Sequence, residues 1–484
     1  MEQKRIKNTI NKVKKSSKTA DYLIIGNSAA GLSAVSAIRA VDKKGSIIVL
    51  ANESFKNYSK PLITYFLAGK VKYENIYFKS DEFYVENNIL LIKDTNIIRI
   101  DFDLKQVVSD KDVCFKYKKL LLANGGIPII PKIKISNISG RVKTINNGKI
   151  KSKEKIDFPE QLENDNYKNI PGIFTLSNFQ DAIMVRDYIN KNNISEAIIL
   201  GGGLIGLKSA EALLEAGIKV RIIELSDRIL SAAFDKQASL IIEKELENAG
   251  SKIYTGTTIN KIIIKNNKLN GVELQNGEKI ESGLLIVAIG VIPDLSIIKN
   301  SCMSDKKISY NKGIITDESM ETGIKDIFAA GDVAETFDLI TGNKANIAIW
   351  PLAVRQGEIA GSNMAGLKKS YSGSYFMNSI EILKIPSISM GITNPPEDMQ
   401  GNIEIIKDFR PEKKMYKKII IQDGKIIGMI LEGNIERAGI YGGLIINKVD
   451  ISAIRENLAK EDFGIIQLPS DYKKHLVTGD GIEV

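Results

Sequence analysis

The chain runs to 484 residues, 43% hydrophobic and 26% charged, which is ordinary globular material for two to four domains. Its single histidine, His475, excludes histidine-based zinc sites and Ser-His-Asp catalysis, and no metal site is expected. Two cysteines, Cys114 and Cys302, are too few for a disulfide framework or an iron–sulfur ligand set, and suit a reducing, cytoplasmic setting.

The net charge of +9 is partly local, since residues 1–20 hold Lys4, Arg5, Lys7, Lys12, Lys14, Lys15 and Lys18 against Glu2 alone. This tail lacks the apolar core of a secretory signal and has no aromatic residue for base stacking. It reads as a solvated tail or as one drawn to an acidic partner protein, with no nucleic acid expected. Its basic, hydroxylated composition also leaves an organelle transit peptide open. No uninterrupted apolar run reaches the ~18 residues of a membrane span, so a soluble protein is expected.

After the tail, Tyr22–Ile25 reads as a buried parallel strand, Gly26-Asn-Ser28-Ala29-Ala30-Gly31 as a glycine turn, Leu32–Val41 as a helix and Ser46–Leu50 as the next strand. Glu53 lies where a ribose-binding carboxylate belongs, and Ser28 replaces the usual second glycine. Leu120–Ala123 is a strand ending in the turn Asn124-Gly125. The polar stretch Lys132–Lys168 predicts a surface excursion or a partly disordered insertion.

A second unit follows the dinucleotide pattern fully. Its strand 197–200 leads into Gly201-Gly-Gly203-Leu204-Ile205-Gly206, then a helix over Ser209–Ala216 and a strand closed by Glu224. Gly201 permits the tight turn, Gly203 lets backbone approach a pyrophosphate, and Gly206 lets the helix press on the strand. A carboxylate at Glu224 accepts from ribose hydroxyls and repels a 2′-phosphate, which favours NADH over NADPH. The run is not a P-loop, because Leu207 separates Gly206 from Lys208. Farther on, Ile327–Ala330 is a strand that ends in Gly331-Asp332. Lys418–Gln422 and Ile426–Leu431 form a hairpin about Asp423-Gly424, and a helix lies near Tyr441–Val449. Two nucleotide-binding units in one chain point to FAD together with a nicotinamide nucleotide; the bland reading is a duplication with one inactive copy.

These residues resemble the FAD-dependent pyridine nucleotide-disulfide oxidoreductases, in the branch of NADH:rubredoxin reductases, NADH oxidases and the flavin part of nitrite reductase. Ala123-Asn124-Gly125 stands for that family's Ala-Thr-Gly, and Ala288-Ile-Gly290-Val-Ile-Pro293-Asp294 for its second-domain closing motif. Ala330-Gly331-Asp332 matches its FAD motif, Trp350-Pro351 through Gly357 its flavin-facing helix, and Tyr58-Ser-Lys60-Pro61 its Tyr-x-Arg-Pro segment. The resemblance spans Asp21 to Asp450 and implies an α/β protein with two Rossmann-like, three-layer ββα domains and a C-terminal α+β dimerisation domain. The implied boundaries are a tail 1–20, an FAD domain 21–178 resumed at 301–368, an NAD domain 179–300 and a dimerisation domain 369–484. Asn378, Ser389-Met-Gly391 and Gly433–Gly443 match the last domain's signposts.

The resemblance also implies that Asp332 holds a ribityl hydroxyl and that the helix at Pro351, with Trp350 beside it, stabilises reduced flavin. Where relatives carry a redox cysteine, Lys60 to Leu67 has none; Thr64 and Tyr65 stand there as candidates for shaping the flavin face. Electrons would therefore leave the flavin directly, to a rubredoxin- or ferredoxin-like carrier or to a small oxidant, and a homodimer is expected. A peroxide-forming NADH oxidase and a slow flavin–NADH sensor are the alternatives.

Overall fold

The computed structural model describes residues 18–137, 170–301, 307–469 and 472–473, with Lys143–Asn146 and Lys149–Ser152 as backbone strands only. Cys302, His475 and nearly all of the basic tail lie outside these residues. The chain divides into two compact units, each assembled from separate pieces. One takes the chain up to residue 59, with 73–127 and 291–375; the other takes 60–72, 128–290 and 376 onward.

The first unit is built on a sheet in the order Ile89–Ile92, Ile47–Leu50, Lys18–Ile25, Cys114–Leu122, Gln106–Ser109, Ile97–Asp101. Ile327–Ala329 joins Cys114–Leu122 in parallel, Ile327 opposite Leu120, so the two glycine-ended strands lie side by side. The parallel strands are apolar without alternation, as in Ile47–Leu50 where every residue is buried, because both faces of such a sheet are covered. On it, the helix Ala29–Val41 meets the helix Trp350–Met364 at close range. A Cβ at Gly357 would lie 2.1 Å from the Ala30 carbonyl oxygen, and one at Gly361 2.3 Å from that of Ala34. The glycines, one turn apart, let the two backbones touch.

The second unit holds a parallel sheet in the order Ile173–Thr175, Leu285–Val287, Glu196–Leu200, Lys219–Ile223, Lys252–Tyr254. A second sheet, Lys279–Glu281, Lys268–Leu274, Ile259–Lys265 and Lys134–Asn137, shares an apolar core with it that includes Ile198, Ile223, Ile262 and Val272. The C-terminal part is a five-stranded antiparallel sheet, ordered Met377–Ile382, Ile385–Gly391, Lys425–Glu432, Met415–Gln422, Ile403–Arg410, with the helix Ala438–Ile446 against it. Asp423 and Gly424 turn the hairpin with φ of +48° and +74°, the left-handed pair a two-residue turn demands.

Several boundaries differ from expectation. The helices start earlier, at Ala29 and Leu204, because each glycine turn is itself the entry to the helix. Two stretches ahead of residue 178 pair with strands of the second unit. Lys134–Asn137 pairs in parallel with the strand Ile259–Lys265, and Ile173–Thr175 forms the edge of the second unit's parallel sheet. The first residues of the expected surface excursion are thus sheet, with Ile133 buried, while most of the remainder falls outside the described residues. No described helix is long and apolar enough to cross a membrane.

Candidate functional site

Each unit carries a glycine turn of the same construction. In the first, Gly26 has φ +121°, and a Cβ there would lie 2.0 Å from the Ala123 carbonyl oxygen. In the second, Gly201 has φ +115°, and its Cβ would lie 2.4 Å from the Ala288 oxygen. Five residues on, a Cβ at Gly31 or Gly206 would come within 2.0 Å of the carbonyl oxygen of its own first glycine. Ala123-Asn124-Gly125 and Ala288-Ile-Gly290 are therefore counterparts, each a strand end that presses on a turn, with Gly125 and Gly290 at φ +75° and +126°.

The third turn positions are Ser28 and Gly203. Both have extended backbone and both precede a helix with no side-chain cap. The first helical bonds are Leu32 N–H to Ser28 O and Leu207 N–H to Gly203 O, each 2.9 Å. The amides of Ala29, Ala30 and Gly31, and of Leu204, Ile205 and Gly206, lie ahead of those bonds, where a helix offers N–H groups and positive dipole to an anion. A Cβ on Gly203 would meet nothing within 4 Å, so space lies open in front of this turn. By contrast, Asn178 caps the helix Phe179–Asn192 and Asp235 caps Lys236–Asn248 with their own side chains.

The acidic residues beyond the second strands are differently anchored. Glu224 accepts from the amides of Gly202 at 2.6 Å and Ser226 at 2.7 Å, which fixes its carboxylate beside the turn. Glu53 accepts from the buried Tyr58 hydroxyl at 3.0 Å. Uncapped amides and an anchored carboxylate fit a dinucleotide in each unit, with an open approach at Gly203 in the second. FAD supplies the capacity to accept a hydride and to return its electrons singly.

Also in the first unit, Gly331 (φ +79°) opens the turn that carries half-buried Asp332. The Gly331 amide donates to Gln356 Oε1 at 2.8 Å, and Asn346 Nδ2 donates to the Asp332 carbonyl at 2.8 Å. Gln356 thus ties this turn to the helix Trp350–Met364. That helix starts at Trp350-Pro351 without a side-chain cap, and the Trp350 ring meets Phe78 edge-on at 5.2 Å. Asn124 Nδ2 donates to the Asp294 carbonyl at 2.7 Å, an arm that locks its turn.

Lys60, Pro61, Thr64 and Tyr65 belong to the second unit. Lys60 and Pro61 lie in the 3₁₀ turn Lys60–Leu62, with Pro61 exposed. Half-buried Thr64 and Tyr65 sit in the short helix Ile63–Leu67. The Lys208 ammonium stands 4.8 Å from the Tyr65 ring centroid, Lys70 5.9 Å. Lys208 also pairs with Glu211 and donates to the Glu381 carbonyl at 3.0 Å. Lys208 and Gln356 lie within the motifs named from the sequence, which gave neither a role of its own. A lysine inside the apolar run after Gly206, and a glutamine one residue before Gly357, were the available signals. Cys114 is a buried free thiol at the start of the strand Cys114–Leu122, the end opposite the Ala123-Asn124-Gly125 turn.

The profile described as pyridine nucleotide-disulphide oxidoreductase matches residues 20–357, and that of the rubredoxin NAD+ reductase C-terminal domain matches 377–449. The chain is 29% identical over 454 residues to the NADH-dependent phenylglyoxylate dehydrogenase subunit epsilon of Aromatoleum evansii, covering 92% of this chain and 96% of that one. It is 28% identical over 450 residues to the NADH-rubredoxin oxidoreductase of Clostridium acetobutylicum, covering 92% and 98%. The crystal structure of NADH:rubredoxin oxidoreductase from that organism aligns with a TM-score of 0.69 at 26% identity, again over 92% and 98%. Turns, sheets and both profiles agree: the chain belongs to the pyridine nucleotide-disulphide oxidoreductase family, as an FAD-dependent NAD(P)H oxidoreductase.

Proposed function

We propose that the protein passes electrons from NADH, through FAD, to an acidic one-electron carrier protein of rubredoxin or ferredoxin type, and that it works as a homodimer. The observation that carries the carrier reading is the match of 377–449 to a rubredoxin reductase C-terminal domain. The absence of cysteine from Lys60–Leu67 supports it, since thiol relay chemistry has no nucleophile there. In this reading the Gly201–Gly206 turn and Glu224 hold NADH, with the carboxylate against a 2′-phosphate. Gly26–Gly31, Glu53, Asn124, Gly331 and Asp332 hold FAD, the last through a ribityl hydroxyl. The amides at the start of Trp350–Met364 face the flavin's electron-rich edge, and Lys60, Pro61, Thr64 and Tyr65 line the reacting face.

The test is turnover of NADH with a rubredoxin, a ferredoxin and oxygen as alternative acceptors, repeated across ionic strength. A basic surface, +9 in net charge, predicts that salt raises the KM for the carrier and leaves NADH-to-flavin reduction unchanged. Carrier kinetics indifferent to salt would remove the charge-docking part. Peroxide formation faster than carrier reduction would favour the oxidase.

A further inference from the structure

The C-terminal sheet buries a carboxyl group that its surroundings do not neutralise. Glu432 ends the strand Lys425–Glu432, is 1% exposed, and neither of its oxygens has a hydrogen-bond partner among the described residues. Directly across the sheet stand Ser387 on one side and Tyr416 on the other, so three polar side chains share one face. The buried Ser387 hydroxyl is also without a well-formed hydrogen bond. Burial pushes the Glu432 carboxyl up to about 8; the nearby Ser387 hydroxyl opposes the shift and the Asp235 charge adds to it. Glu432 is therefore neutral at pH 7 and ionises in mild alkali.

Tyr416, paired across the strands with Glu432, reaches the segment that follows the nucleotide turn. Its hydroxyl donates to Asp235 Oδ2 at 2.8 Å and lies 3.1 Å from Gln237 Oε1. Asp235 also pairs with buried Lys418 at 3.0 Å, with Lys407 at 3.9 Å, and its other oxygen caps the helix Lys236–Asn248 through the Ala238 amide. Just before Asp235 runs the loop 225–234 that follows Glu224. Asn394 and Arg228 both donate to the Phe234 carbonyl, at 3.1 Å and 3.2 Å. At the loop's middle, the Leu230 amide donates to the Gly202 carbonyl at 2.8 Å, and Gly202 in turn donates to Glu224. One further titratable group touches this loop: Glu243, whose carboxyl burial pushes up, accepts from the Ile229 amide at 3.2 Å, and its unchanged presence in E432Q and Y416F separates its titration from that of Glu432. Arg437 donates to the Phe463 carbonyl, Tyr441 to that of Leu458, and Arg410 pairs with Asp408 and Glu461.

We propose that Glu432, through Tyr416 and Asp235, is a proton-linked positioning residue for the nucleotide turn. Protonated, it leaves Tyr416 and Lys418 to Asp235. Ionised, it competes with Asp235 for the Tyr416 hydroxyl proton and loosens the loop that fixes Gly202 and Glu224. This rests on the reading of that turn as the NADH site.

The experiment is calorimetric titration of the FAD-loaded protein with ADP-ribose, which carries the diphosphate and ribose but no redox chemistry. For the wild type the Kd should rise about fivefold or more across one ionisation, an effect of ordinary coupling size, with its midpoint near 8. E432Q should hold the low-pH Kd throughout, and Y416F should weaken binding and lose the pH step. A flat wild-type profile, or a step that survives in Y416F or a folded E432Q, overturns the proposal while leaving the NADH site standing. ADP-ribose that fails to bind at any pH overturns both.

Discussion

Ser28 and Gly203 occupy the same position in two turns of the same construction, and a Cβ added at Gly203 would project into open space in front of its helix. Gly203→Val should therefore abolish NADH binding while the protein stays yellow with FAD, read by difference titration. Loss of FAD instead would mean that the two sites are exchanged. Asp332→Ala removes a charged hydrogen-bond acceptor, so FAD should dissociate roughly 10–100 times more readily, read by flavin release on dilution. The glycines were legible in the sequence because their requirement is local: a positive φ or a carbonyl 2.0 Å from any Cβ excludes other residues. Lys208 over Tyr65 was not, because that contact joins residues 143 positions apart that only the fold brings together.

Among the elements, the helices Ala29–Val41 and Trp350–Met364 cross through glycine against alanine. Gly361→Leu should cost about 1–3 kcal/mol through overpacking, seen as a lowered Tm and weakened FAD retention together. A normal Tm would show that the helices separate without strain. Strand apolarity and the Asp423-Gly424 turn marked the C-terminal hairpin plainly. Helix starts were less legible, because Gly203 gives no capping signal and Ser28, though at the N-cap position, makes no side-chain cap bond; Asn178 and Asp235 mark the helices whose caps do bond.

At the scale of the whole chain, each of the two units is assembled from separate stretches of sequence. Lys134–Asn137 reads as polar coil, and only its pairing with Ile259–Lys265 makes it a strand. Stability at this scale should also carry the Glu432 signature. The folded carboxyl is raised from 4.5 to about 8, so its contribution is full below about pH 4.5 and is lost as pH rises through 8. Within that window the loss is about 1.4 kcal/mol per pH unit at most. The wild-type Tm should accordingly fall relative to that of E432Q between these limits and run parallel above them; parallel curves throughout would mean that Glu432 is effectively solvated.

The most direct measurement is anaerobic rapid mixing of the purified protein with NADH, following the oxidised-flavin absorbance. Fast bleaching, with NADPH much slower, is the predicted result, because it requires both sites to be filled and their ligands to meet. A yellow protein that NADH leaves unbleached, or a colourless one that cannot be reconstituted with FAD, would contradict the account.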